Sequence, residues 1–89
     1  MRINKKYKIR DIAGEKIVII QGEYGVDFTR IISLNKTSDW LWQLFIDKEF
    51  NLEEIKEALL SRFNVDAEQA ASDAKAWVNK MLEYDLIEN

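Results

Sequence analysis

The sequence contains no cysteine, no histidine and no proline, and only three glycines among 89 residues. Without cysteine there is no disulfide, no thiolate nucleophile and no iron–sulfur ligand. Without histidine there is no imidazole base and no histidine-ligated zinc. Glycine is too scarce for a phosphate-cradling loop, and no acidic spacing matches a calcium loop. The longest wholly apolar run is Ile17 to Ile20, far short of the roughly 20 residues that a membrane-spanning helix needs. No signal sequence is visible either. The expectation is a cytoplasmic domain with no cofactor, no metal and no membrane partner.

What is present suits a small folded unit. Hydrophobic residues make up 47% of the chain and charged ones 33%, which is the balance of a domain with a core rather than of a disordered segment. No repeat, low-complexity tract or linker interrupts it, so residues 1–89 are expected to form a single domain. The charge is unevenly placed. Residues 1–34 carry seven basic and four acidic side chains, a net +3; residues 35–89 carry six basic and twelve acidic, a net −6. A mildly acidic helical surface explains this, as does a patch that steers an oppositely charged partner.

The first third reads as strands. Tyr7 and Ile9 alternate with polar neighbours, Ala13-Gly14-Glu15 offers a turn, and the β-branched run Ile17-Val18-Ile19-Ile20 follows. The pattern predicts a hairpin whose second strand is buried on both faces. Gly22 and Gly25 bracket a connection holding Tyr24, and Thr29 to Leu34 makes a third strand. There Ile32 and Leu34 share one face, and Thr29, Ile31 and Ser33 the other.

After Leu34 the apolar period lengthens to about 3.6 and three helices follow. Asn35 is placed to cap the first, whose stripe is read as Leu41, Leu44 and Phe45, flanked by Trp40 and Trp42. The second starts with Asn51 and Glu54 as a capping box and Phe50 with Ile55 as a hydrophobic staple; Leu52, Ile55, Leu59 and Phe63 are its expected inward face. The third starts at Asp66 with Gln69 as return partner, buries Ala70, Ala74, Trp77, Val78 and Met81, and ends near Tyr84. Leu86 and Ile87 form an apolar tail that must dock somewhere. The fold class is α+β, winged-helix-like: an N-terminal three-stranded antiparallel sheet followed by three helices.

Catalysis is unexpected. Ser33, Ser38, Ser61, Ser72 and the two threonines have no imidazole to activate them. The lysines sit in polar contexts that leave them charged, and Glu53-Glu54 lies in a first helical turn, where the dipole accounts for it. A winged helix invites a nucleic-acid reading, which stays as the alternative. Yet the third helix, from Asp66 to Asp85, has a net charge of −3, the wrong sign for a helix lying among phosphates. Recognition of another polypeptide remains. If the strands follow chain order, the third has one unpaired edge, which another chain can pair with or water can cover. On the third helix Ala70, Ala71 and Ala74 precede Trp77 and Met81. Small residues beside large ones leave a groove or allow close helix packing.

The junction Leu34-Asn35-Lys36-Thr37-Ser38, followed by Leu41-Trp42 and Leu44-Phe45, resembles the Leu-Asn-x-Thr-Gly…Leu-Trp-x-Leu-Leu signature of the PqqD-like proteins, also called RiPP recognition elements. Asp73, Trp77, Val78, Met81 and Leu86-Ile87 are similar in spacing to the family's C-terminal pattern, as is the segment Asn51 to Asp66. Ser38 stands where the family has glycine and Asp85 where it favours glycine; neither departure is expected to touch the binding surface. The resemblance implies a non-catalytic domain that binds the leader segment of a ribosomally made precursor peptide, as in PQQ biosynthesis. The leader would add as a strand along the third strand (Thr29, Arg30, Ile31, Ile32 and Ser33) and dock against the third helix (Ala70, Asp73, Ala74, Lys75, Trp77 and Lys80). Pockets beside Ile31, Ala70, Ala74 and Trp77 would select its side chains, and Arg30, Lys75 and Lys80 would meet acidic ones. The implied partner is a radical-SAM or other peptide-modifying enzyme, with the chain acting as a monomer or a strand-exchanged dimer. Ala74→Arg is expected to block the peptide without unfolding the domain.

Overall fold

In the computed structural model, which describes residues 1–21 and 29–88, two strand systems frame three helices. The strands are β1 (Arg2–Ile3), β2 (Ile9–Ile12), β3 (Glu15–Gln21), β4 (Thr29–Leu34) and β5 (Ile87–Glu88). The helices are α1 (Lys36–Phe45), α2 (Leu52–Arg62) and α3 (Ala67–Glu83). Strands β2, β3 and β4 form an antiparallel sheet in chain order, and three helices follow it, the expected α+β arrangement. The expected connection around Gly22, Tyr24 and Gly25 lies outside the described residues.

The register explains which strand residues are buried. Ile9 faces Val18, and Val18 faces Ile32; side chains directly opposite share a face, so these three and Leu34 point to the helices. Val18, Ile32 and Leu34 join the core, with Ile9 packed at its margin. Strand β3 is buried less completely than its sequence suggests: Ile17 and Val18 are buried, but Ile19 and Ile20 only partly. The β2–β3 turn holds Ala13 at φ 54° and Gly14 at φ 84°, so the glycine takes a conformation that costs it little and the alanine one that it seldom adopts.

Each helix begins with its expected cap. The side-chain oxygens of Asn35, Asn51 and Asp66 accept from the backbone N–H groups of Ser38, Glu54 and Gln69 at 2.8, 2.9 and 2.7 Å. The Gln69 side chain does not return to the cap. It reaches one turn forward and donates to the Asp73 carboxylate at 2.8 Å.

The inward stripes of α1 and α2 need correction. On α1, Ser38, Leu41, Trp42 and Phe45 are buried, whereas Leu44 is 40% exposed. Trp42 takes the inward place because α1 meets β4 on one side and β1 on another, which rotates the buried arc toward it. On α2 only Ile55 and Leu59 are buried, and Leu52 and Phe63, at its two ends, project past its contact with α3. Helix α3 buries the five residues expected of it and packs along α2.

The apolar tail docks where local pattern gave no hint. Ile87 pairs with Ile3, and Glu88 with Arg2, so the two ends of the described chain form a small antiparallel ladder. Asn4 N–H donates to the Leu86 carbonyl at 2.9 Å, and Leu86 and Ile87 are buried. Asp85, at φ 60°, makes the turn from α3 into this strand.

Candidate functional site

Strand β4 pairs with β3 along one edge, from Thr29 opposite Gln21 to Leu34 opposite Lys16, and among the described residues no strand pairs with its other edge. Alternate backbone N–H and C=O groups of such a strand point outward, open to an added chain. Arg30, Ile31 and Ser33 have exposed side chains and Ile32 is buried in the core. The edge therefore offers main chain, with Ile31 at 66% exposure as its most prominent apolar side chain.

Where β4 ends, a cleft begins. Asn35, Thr37, Ser38 and Leu41 form one side; Leu59, Phe63 and Val65 another; Asp73, Ala76, Trp77 and Lys80 of α3 the third. Its volume is about 430 Å³, enough for one or two large side chains of a ligand and too small for a duplex. The α3 residues fall at spacings of three and four, which brings them to one face of the helix. Three of the residues expected on α3 thus meet here: Asp73, Trp77 and Lys80.

The others lie elsewhere. Ala70 and Ala74 are 0% and 1% exposed and belong to the core. Their small side chains serve close packing of α3 in the core, with α2 running alongside, not an open slot. Neither lines the cleft. Lys75 is exposed and does not line the cleft.

Several cleft residues were not anticipated: Thr37, Ser38, Phe63, Val65 and Ala76. Phe63 was assigned inward, yet its exposure is 37% and its ring meets Trp40 edge-on, at 6.0 Å and 87°. The guanidinium of Arg62 covers the same Trp40 ring at 4.7 Å. This cluster holds the end of α2 against α1 and so fixes one wall of the cleft. The apolar residues Phe63 and Val65 on either side of Asn64, between two helical patterns, were the sequence signal available for it.

The polar chemistry of the cleft is partly used internally. The Trp77 indole N–H donates to the Ser38 hydroxyl at 2.8 Å, a buried contact, so Trp77 presents carbon surface to the cleft rather than a donor. Ser38 is consequently a cleft residue, contrary to its expected place off the binding surface. Asp73 already accepts from Gln69, and Lys80 is exposed at the rim. Among the described residues no group of acidic side chains could hold a metal ion, and no helix is long and apolar enough to cross a membrane. An apolar slot with charged rims beside an open strand edge is suited to binding an extended polypeptide.

No curated protein and no solved structure matches the chain significantly. The family described as "Coenzyme PQQ synthesis protein D (PqqD)" matches residues 16–87, which include all of β3 but its first residue, β4, all three helices and every residue of the cleft. By that match over most of its length, the chain belongs to the PqqD family.

Proposed function

We propose that this chain is a non-catalytic peptide-binding accessory protein. Its ligand is the leader segment of a ribosomally made precursor peptide, which adds as a strand to β4 and sets apolar side chains into the α1–α3 cleft. The observation that carries the reading is the continuity between the β4 edge that no other strand among the described residues pairs with and the cleft that opens at Asn35. Main-chain hydrogen bonds along the edge give affinity that tolerates sequence change. Selectivity comes from Leu41, Phe63, Val65 and the carbon face of Trp77, with Asp73 and Lys80 reading charge at the rim. Family membership supports the peptide-binding role and its association with PQQ-type maturation. The bound leader is presented to a modifying enzyme, such as a radical-SAM maturase, which supplies the metal and redox chemistry that a chain without cysteine or histidine does not itself offer.

The test is a titration of the chain with the labelled leader peptide of a candidate precursor, and in parallel with duplex DNA at physiological salt. Saturable binding of the peptide alone is expected. Binding of DNA alone, weakening steeply with salt, contradicts the reading and favours a nucleic-acid-binding regulator.

A further inference from the structure

The three-stranded sheet has a second face, turned away from the core. The register sets Arg10 beside Ile17, Ile17 beside Ser33, and Ile19 beside Ile31 on that side. Four isoleucines therefore share it: Ile12, Ile17, Ile19 and Ile31. Ile12 and Ile31 are 52% and 66% exposed. Ile19 also lines a hollow of about 400 Å³ whose other residues are Lys6, Tyr7, Lys8 and Arg10, with no carboxylate among them. The face is apolar, with Ile17 buried within it, Lys8 and Arg10 on the side of Ile19, and Glu15 opposite Ile12 at the hairpin end.

A second surface has the opposite sign. Between α1 and α2 runs a shallow groove of about 460 Å³, lined by Leu44, Phe45 and Ala58 and by Glu53, Glu54 and Glu57. Lys48 is the cation in its lining, and its ammonium lies 5.2 Å from the centre of the Phe45 ring. The exposure of Leu44, which has no purpose in the core, falls within this groove.

We infer that these two surfaces recognise each other between two copies of the chain. The isoleucine face of one copy docks on the α1–α2 groove of the next, with Ile19 against Leu44 and with Lys8 and Arg10 beside it against Glu54 and Glu57. The match is both apolar and electrostatic, and both halves of it are carried by the same chain. Lys8, Arg10, Ile19, Leu44, Glu54 and Glu57 do not line the α1–α3 cleft; the isoleucine face meets the peptide reading only at Ile31 of β4, so the test is made without peptide. Because the two patches differ, the contact is head-to-tail and builds a ring or a short row rather than a two-fold dimer. Patches of this size give weak, transient association.

Sedimentation velocity of the 89-residue chain without peptide, from about 1 µM to 1 mM, tests it. The weight-average sedimentation coefficient rises with concentration, and less so in 1 M NaCl, where the screening length is about 3 Å. A Lys8→Glu/Arg10→Glu chain and a Glu54→Lys/Glu57→Lys chain each sediment as monomers alone. Mixed one to one they associate again, because the reversed face of one meets the reversed groove of the other. All four positions are exposed, and circular dichroism confirms that the variants fold; should one unfold, the salt series on the wild type decides. Sedimentation independent of concentration in the wild type overturns the proposal. So does association that survives both charge reversals, as a strand-exchanged dimer would, or a mixture that stays monomeric.

Discussion

Trp77 on α3 donates its indole N–H to the hydroxyl of Ser38 in the first turn of α1, at 2.8 Å and across 39 positions of sequence. The bond ties together two of the three walls of the cleft and satisfies a buried donor that would otherwise cost free energy. Ser38 departs from the glycine of the family pattern, and a glycine offers no side chain to accept this bond.

Ser38→Ala leaves the indole N–H without its partner. The expected cost is about 1–3 kcal/mol in urea unfolding, with an altered Trp77 environment in the fluorescence spectrum. A variant as stable as the wild type would mean that water or a shifted ring replaces the hydroxyl.

Arginine at two neighbouring positions of α3 separates the cleft from the core. Ala76 is exposed and lines the cleft, so Ala76→Arg should weaken leader binding at least tenfold, about 1.4 kcal/mol, at unchanged melting temperature. Ala74 is 1% exposed, so Ala74→Arg buries a guanidinium in the core and unfolds or strongly destabilises the chain. This reverses the outcome expected from sequence alone, where Ala74 was assigned to the groove. Calorimetry beside a binding titration on each variant decides it.

Much of this architecture was legible in the sequence, because strand and helix periods and caps are local properties. The β4 faces, the three N-caps and the five buried positions of α3 follow from spacing within one element. What escaped depended on partners distant in sequence. Whether Ala70 and Ala74 open a slot or close an interface is decided by α2, and whether Leu44 or Trp42 faces inward is decided by β1 and β4 together. The β1–β5 ladder joins segments of two residues each, too short for any periodicity. The cleft is formed by three elements at once and has no signature in any one of them.

Helix α2 offers a direct test of its corrected face. Ile55 is fully buried and Leu52 is 43% exposed, though both were assigned inward. Ile55→Ala should cost about 2–5 kcal/mol, and Leu52→Ala no more than about 0.5 kcal/mol. Equal losses in chemical denaturation would restore the original assignment.

The Asp11–Lys16 pair, at 3.0 Å, bridges the β2–β3 hairpin. Hydrogen bonding and the charge of Lys16 hold the Asp11 carboxyl below its usual 3.8, and the same contact raises Lys16 above 10.5. A lowered acid stabilises above its unfolded pKa, and the benefit is lost as pH falls through the lowered value. A raised base stabilises below its unfolded pKa, and the benefit is lost as pH rises through the raised value. The difference in melting temperature between wild type and Asp11→Asn should therefore be level between those limits and vanish outside them. A difference that grows on acidification would contradict the pairing.

Amide hydrogen exchange of the chain with and without a saturating leader peptide reaches the strand-addition mechanism itself. At a free peptide concentration ten times Kd, outward-facing amides of β4, residues 29–34, should exchange about tenfold more slowly, together with amides of α3 around Asp73 to Lys80. Saturable peptide binding that protects other parts of the chain while β4 exchanges at its free rate would contradict it.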